Sequence, residues 1–158
     1  MEDTTTLDAI DRKLLARLQQ DATTPVNELA EAVNLTTTPC WRRVQRLEKE
    51  GYILKRVALL NAVKLGVGVT VFVQVKTSNH SKEWFHHFKA VVQAIPEVVE
   101  FYRMSGAYDY MLRVVVPDIT GYDRVYQRLI AQIPLSDVTA SFAMEQLKYT
   151  TELPLPGL

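Results

Sequence analysis

Thr36-Thr37-Thr38-Pro39-Cys40-Trp41-Arg42-Arg43-Val44-Gln45-Arg46-Leu47-Glu48-Lys49-Glu50 decides how this chain is read. On a helix, residues three and four apart share a face. Cys40, Val44 and Leu47 then form an apolar stripe, and Thr38, Arg42, Arg46 and Lys49 fall on the opposite side. Thr36 is a suitable N-cap. Pro39 sits in the first turn, where a missing N–H costs little, and Gly51 ends the helix. A helix that anchors by one face and offers arginines and threonines on the other suits a DNA major groove.

The flanks agree. Thr24-Pro25 opens a short helix carrying Leu29, Ala30 and Val33, and Asn34-Leu35 makes a tight turn before the basic helix. That is helix-turn-helix spacing. Upstream, Leu7, Ile10, Leu14 and Leu18 repeat at helical spacing with Leu15 beside them, so three helices can bury one small core. Residues 53–60 are rich in β-branched and aliphatic side chains with Lys55 and Arg56 among them, and read as a strand, a wing beside the DNA backbone.

Composition alone is silent about nucleic acid, because 18 basic residues balance 18 acidic ones. The distribution is not silent. Residues 1–36 hold three basic and seven acidic residues, a net of −4, whereas residues 37–56 hold six basic and two acidic, a net of +4. A neutral chain with one basic helix has the footprint of a DNA reader with modest non-specific affinity.

At 158 residues the chain has room for one average domain or two small ones. Its apolar runs are strand-sized, so no membrane span is expected. Met1-Glu2-Asp3-Thr4 opens without a basic and then apolar leader. The single cysteine excludes an internal disulfide. These features lead us to expect a cytoplasmic protein.

Beyond residue 66 the pattern changes. Residues 69–77 read as a strand. Ser81 then caps a helix with Trp84, Phe85, Phe88, Val91, Val92 and Ile95 inward, stopped by Pro96. Residues 98–104 form a second strand, Ser105 to Asp109 a turn, and residues 110–116 a third strand. A helix marked by Ile119, Tyr122, Val125, Tyr126, Leu129, Ile130 and Ile133 follows. The fourth strand spans residues 138–144 and could extend to Tyr149. Gln93-Ala94-Ile95-Pro96 and Ala131-Gln132-Ile133-Pro134 make a faint internal repeat. This βαββαβ order is the ferredoxin-like split βαβ, whose sheet carries helices on one face only. The other face is expected to be covered by a second copy of the chain. The expected class is therefore α+β: a winged helix-turn-helix DNA-binding domain over residues 1–56, a linker strand over 57–66, and a βαββαβ effector-binding and oligomerisation domain over 67–158.

From Leu7 to about Pro154 the chain resembles the Lrp/AsnC, or feast/famine, transcription regulators. The resemblance rests on Leu7-Asp8-Ala9-Ile10-Asp11-Arg12-Lys13-Leu14-Leu15, Leu29-Ala30, Thr38 to Glu48, Gly51-Tyr52-Ile53, Ser105 to Tyr110, Val116-Pro117-Asp118 and Met144-Glu145-Gln146-Leu147-Lys148. It implies dimers, often assembled into octamers, and a small amino-acid effector bound between sensing domains near Gly106-Ala107-Tyr108-Asp109. Ala107 departs from the carboxylate or amide the family often has there, which points away from leucine. Asn34 to Trp41, His80 to Trp84 and Ser141 to Thr151 are similar to the branch that senses cysteine and activates cysteine detoxification. Cysteine is therefore the first effector to consider.

For single residues the alternatives stay open. Arg42 and Arg46 each suit a bidentate contact to guanine or a phosphate contact. Thr37 and Thr38, with Pro39 beside them, suit a base edge or phosphate anchoring. Arg43 suits a phosphate clamp, and Lys49, Lys55 and Arg56 suit backbone or solvent. Asp109 suits either an effector ammonium or an ordinary turn. Gly106 suits positive φ or close ligand approach. Thr139, Ala140 and Ser141 on the last strand are further effector candidates. Tyr102, Met104, Tyr108 and Phe142 read as core or dimer interface. Cys40 and Trp41 read as packing residues. His80, His86 and His87 lack metal-ligand spacing, so no metal is expected. No paired carboxylates, nucleophile–base pair or Gly-rich phosphate loop suggests an enzyme. The expected function is a DNA-binding regulator answering to an amino acid. The rivals are a ligand-independent chromatin-organising binder and, further off, a small-molecule-binding protein or enzyme of ferredoxin-like fold.

Overall fold

The computed structural model describes residues 6–158. Met1 to Thr4, read above as free of a leader, lie outside the described residues. The chain forms two compact units. One runs as far as Ala58 and includes Lys148–Leu158; the other is Leu59–Leu147. The tail from Lys148 onward, expected with the second domain, thus groups with the first. Gln19 explains the attachment: its amide donates to the Leu153 carbonyl (2.9 Å) and accepts from the Leu153 N–H (2.8 Å). Arg12 Nε donates to the Pro156 carbonyl at 2.8 Å.

The first unit is built from α1 (Ala9–Gln20), α2 (Val26–Ala32) and α3 (Thr37–Lys49). Asp8 caps α1 in a reciprocal box with Asp11. Asn34 takes φ of 56°, a left-handed conformation that asparagine tolerates, and turns the chain between α2 and α3. Gly51, at φ of 81°, closes α3. Its N–H donates to the Glu48 carbonyl and that of Tyr52 to the Leu47 carbonyl, the paired bonds of a Schellman ending. Leu14, Leu18, Leu29, Ala30, Val33, Cys40, Val44 and Leu47 form the core. Burial pushes the Cys40 thiol pKa up, in keeping with a packing role.

Thr36 is the N-cap residue of α3, as expected, and its side chain makes no capping bond. Two local expectations for this unit and its exit fail. Trp41 does not pack inward; it is 52% exposed. Residues 53–60 form no strand, and the linker over 57–66 contains no strand either. A strand requires a neighbouring strand to pair its N–H and C=O groups, and among the described residues none lies beside 53–60; the Ile53 N–H turns back to the Leu47 carbonyl instead. Their side chains Leu54, Val57, Leu59 and Leu60 stand exposed.

The second unit has β1 (Val69–Lys76), α4 (Lys82–Gln93), β2 (Val98–Arg103), β3 (Tyr110–Val116), α5 (Ile119–Gln132) and β4 (Asp137–Phe142). The sheet is antiparallel throughout, in the order β2-β3-β1-β4. The last strand stops at Phe142 rather than reaching Tyr149. Ser81 and Asp118 cap the two helices with side-chain bonds to Trp84 N and Gly121 N.

Strand parity settles which face the helices cover. Val71, Val73 and Val75 of β1 and Tyr110, Leu112, Val114 and Val116 of β3 are buried with Trp84, Phe88 and Val92 of α4 and Val125 and Leu129 of α5. Both helices therefore lie on one face. Phe88 is the hub, stacked on Trp84 at 4.9 Å and edge-on to Tyr110 at 5.0 Å. The alternate residues, among them Phe72, Gln74, Met111 and Arg113, point to the opposite, uncovered face.

Candidate nucleic-acid interface and effector hollow

The outer side of α3 is set by its helical phase. Thr37, Thr38, Pro39, Trp41, Arg42, Gln45 and Lys49 are exposed. Arg43 and Arg46 are not on this open face. Each keeps 29% of its side chain exposed and turns toward α1, where Asp11 is buried. Arg46 Nη2 lies 2.6 Å from Asp11 Oδ1, and Arg43 Nη1 lies 2.6 Å from Asp8 Oδ2 and 3.1 Å from Asp11 Oδ1. The hydrogen bonds that Arg43 donates to Asp8 and Arg46 donates to Asp11 hold both guanidinium pKa values up. The Asp11 N–H, and after it Arg43, holds the Asp8 carboxyl below its ordinary range. Arg56 pairs with Glu48 at 2.9 Å. Arg42, Lys49 and Lys55 have no carboxylate partner among the described residues.

In the second unit, the turn after β2 shapes a hollow of about 130 Å³ lined by Gln74, Met104, Ser105, Gly106, Ala107, Tyr108, Tyr110 and Met111. Gly106 has φ of 146°, open to glycine but strained for other residues, with clear space where a Cβ would stand. Of the residues read from sequence, Gly106, Ala107 and Tyr108 line this hollow, and the others divide. Asp109 is committed to the turn: its Oδ2 accepts from Thr77 N at 2.8 Å and its own N–H donates to the Val75 carbonyl at 2.9 Å. Thr139 borders the hollow, opposite Gln74 in the register and with its hydroxyl 3.2 Å from Tyr108 Oη. Ser141 is exposed, opposite Phe72 in the register. Ala140 packs against the core on the helix side and does not belong with them.

Several lining residues escaped the sequence reading. Gln74 and Met111 face each other across β1 and β3, a pairing that no local pattern reveals. Their one signal was parity, since both alternate with buried neighbours. Met104, expected as core or interface, is 42% exposed and lines the hollow. Among the described residues no group of three potential metal ligands occurs, and His87 Nε2 is instead hydrogen-bonded to the Gln132 carbonyl at 2.9 Å. No helix among them is long and apolar enough to cross a membrane.

A three-helix unit with an outward recognition helix, joined in one chain to a helix-backed antiparallel sheet with a glycine-turn hollow, defines a class: one-chain regulators that bind DNA and sense a small molecule. Comparison with known proteins gives the family. Residues 7–48 match the AsnC-type helix-turn-helix domain and residues 70–153 the Lrp/AsnC ligand binding domain. The chain is 59% identical over 150 residues to the DNA-binding transcriptional activator DecR of Escherichia coli (strain K12), covering 94% of this chain and 99% of that one. It superposes with a TM-score of 0.90 on the crystal structure of an AsnC family transcriptional regulator from Agrobacterium tumefaciens, at 59% identity, covering 94% of this chain and 97% of that one. A TM-score of 0.90 is also found with a Neisseria meningitidis transcriptional regulator in complex with L-Met, at 32% identity, covering 96% of this chain and 98% of that one. The chain belongs to the Lrp/AsnC family. It is a DNA-binding transcription regulator modulated by a small amino-acid effector, not an enzyme, of a kind that typically self-associates.

Proposed function

We propose that the effector is cysteine, bound in the hollow at the Gly106 turn, and that it acts by shifting the balance between assemblies that differ in DNA affinity. The observation that carries the reading is the lining of that hollow. Met104, Met111 and Tyr108 offer soft, polarizable surface suited to a small sulfur-bearing side chain. Gln74 adds an amide, and the glycine turn lets a ligand carboxylate approach backbone N–H groups. Ala107 leaves space without an added polar group. Thr139 and Ser141, on the open sheet face, extend the candidate site. Asp109 serves it by holding the turn. The resemblance to the cysteine-sensing branch supports the same ligand, and the L-Met complex of the Neisseria regulator is a precedent for a sulfur amino acid in a related chain.

In this reading the open sheet face, with Phe72 and Met111, pairs with a second copy, and dimers assemble further, to an octamer. DNA is contacted by Thr37, Thr38, Pro39, Arg42 and Lys49 from the outer side of α3, with Arg43 and Arg46 at its edge. An effector alters DNA affinity only as far as it binds the assemblies differently. Calorimetry with each common amino acid, on the wild type and on Met111→Lys and Gln74→Ala, tests the reading. Heat with cysteine that both substitutions weaken is the expected result. Heat with another amino acid and none with cysteine overturns the effector, and unchanged heats in both variants overturn the site.

A further inference from the structure

We propose that Gln45 is a sequence-reading residue, taking the edge of an adenine one or two steps from the base read by Arg42, and that Arg43 and Arg46 position the helix instead of reading bases. The inference starts from which side chains the fold leaves unengaged. Arg46 is held by Asp11 and Glu50, and Arg43 by Asp8 and Asp11. To read a base, either would have to leave a buried carboxylate, and that vacated charge would oppose the move. Arg42 and Gln45, by contrast, are exposed and make no side-chain hydrogen bond to any described residue.

Their placement fits two neighbouring base edges. Three residues along a helix advance ~4.5 Å and return to nearly the same face. Successive base pairs are ~3.4 Å apart. The two side chains therefore reach bases one or two steps apart. Their chemistry is complementary as well: an arginine fork matches guanine O6 and N7, and a glutamine amide, donor and acceptor together, matches adenine N6 and N7. Thr38 one turn before and Lys49 one turn after lie on the same exposed side, where a hydroxyl and an ammonium suit the flanking phosphates.

The test is selection of binding sites from randomised duplexes by the full chain, for the wild type, Gln45→Ala, Gln45→Glu, Arg42→Ala and Arg46→Ala. Alanine and glutamate are good helix formers, and far-UV circular dichroism checks that each variant folds. Gln45→Ala is expected to lose an adenine preference of about ten- to hundredfold at one position of each half-site, leaving the others intact. Gln45→Glu is expected to move that preference to cytosine, whose N4 donates to a carboxylate. Arg42→Ala relaxes a guanine one or two steps away. Arg46→Ala weakens binding evenly across sequences. Unchanged base preferences in both Gln45 variants overturn the proposal. So does a base-specific change in Arg46→Ala that the Gln45 variants lack, or a wild type that selects no sequence at all.

Discussion

Arg46 Nη2 stands 2.6 Å from the Oδ1 of Asp11, a carboxylate whose side chain is only 2% exposed. Asp11 also closes the N-terminal box of α1 by accepting from the Asp8 N–H through Oδ2 at 3.2 Å. One side chain thus ends α1 correctly and ties α3 to it. The recognition helix is fixed in orientation before any DNA arrives, which lowers the ordering cost of binding.

Removing that carboxylate should loosen the helical unit. Asp11→Ala leaves Arg43 with Asp8 alone, Arg46 with Glu50 alone, and the Asp8 N–H without its acceptor. The expected loss is about 2–3 kcal/mol, below the ~3–5 kcal/mol of a fully buried pair, because both arginines can rehydrate. Urea unfolding followed by far-UV circular dichroism measures it. In a Trp41→Phe background, fluorescence of Trp84, buried in the other unit, should keep its midpoint. A wild-type midpoint for the helical transition would show that the tie carries no stability.

The arginines should separate in a paired measurement of stability and DNA affinity. Arg42→Ala is expected to lower operator affinity by about 1–3 kcal/mol with stability within ~0.5 kcal/mol of the wild type. Arg46→Ala should lower both, since it breaks the Asp11 contact. Equal stability of the two variants would contradict the division of roles.

Acid should weaken both units through depressed carboxylates. Asp8 is held down by the Asp11 N–H and Arg43, and Glu97 by Arg128. A folded-state pKa below the unfolded one gives stability that is present above the unfolded value, about pH 4, and lost as pH falls through the folded value. Urea midpoints should therefore hold between about pH 7 and 5 and decline below about pH 4. In Asp8→Asn the decline of the helical unit should be shallower. An identical slope would remove Asp8 from the account.

Phe88 is fully buried among Trp84, Phe101 and Tyr110. Phe88→Ala should cost about 3–5 kcal/mol in the sheet unit, through lost transfer energy and the cavity left behind. Thermal unfolding followed by the emission of Trp84 in a Trp41→Phe background measures it.

Self-association through the open sheet face predicts that Phe72→Lys, at a position 39% exposed in one chain, yields monomers without loss of fold. Light scattering of the full chain checks this. A wild-type assembly size would move the interface elsewhere.

The local code of this chain was readable wherever the deciding partners lie within a turn or two. Ser81 and Asp118 cap helices by bonding N–H groups three residues on. Gly51 ends α3 through its own φ. The parity of β1 and β3 follows from a two-residue period that any strand obeys. Element order and the face that α1, α4 and α5 bury were therefore legible in the residues. Tertiary structure decided what depends on partners far along the chain. Which arginines remain open on α3 is set by Asp8 and Asp11, 35 and 32 positions before Arg43. Asp109 became a turn residue because Thr77, 32 positions away, offers it an N–H. Residues 53–60 have strand composition yet no ladder, because propensity is local and a hydrogen-bonding partner is not.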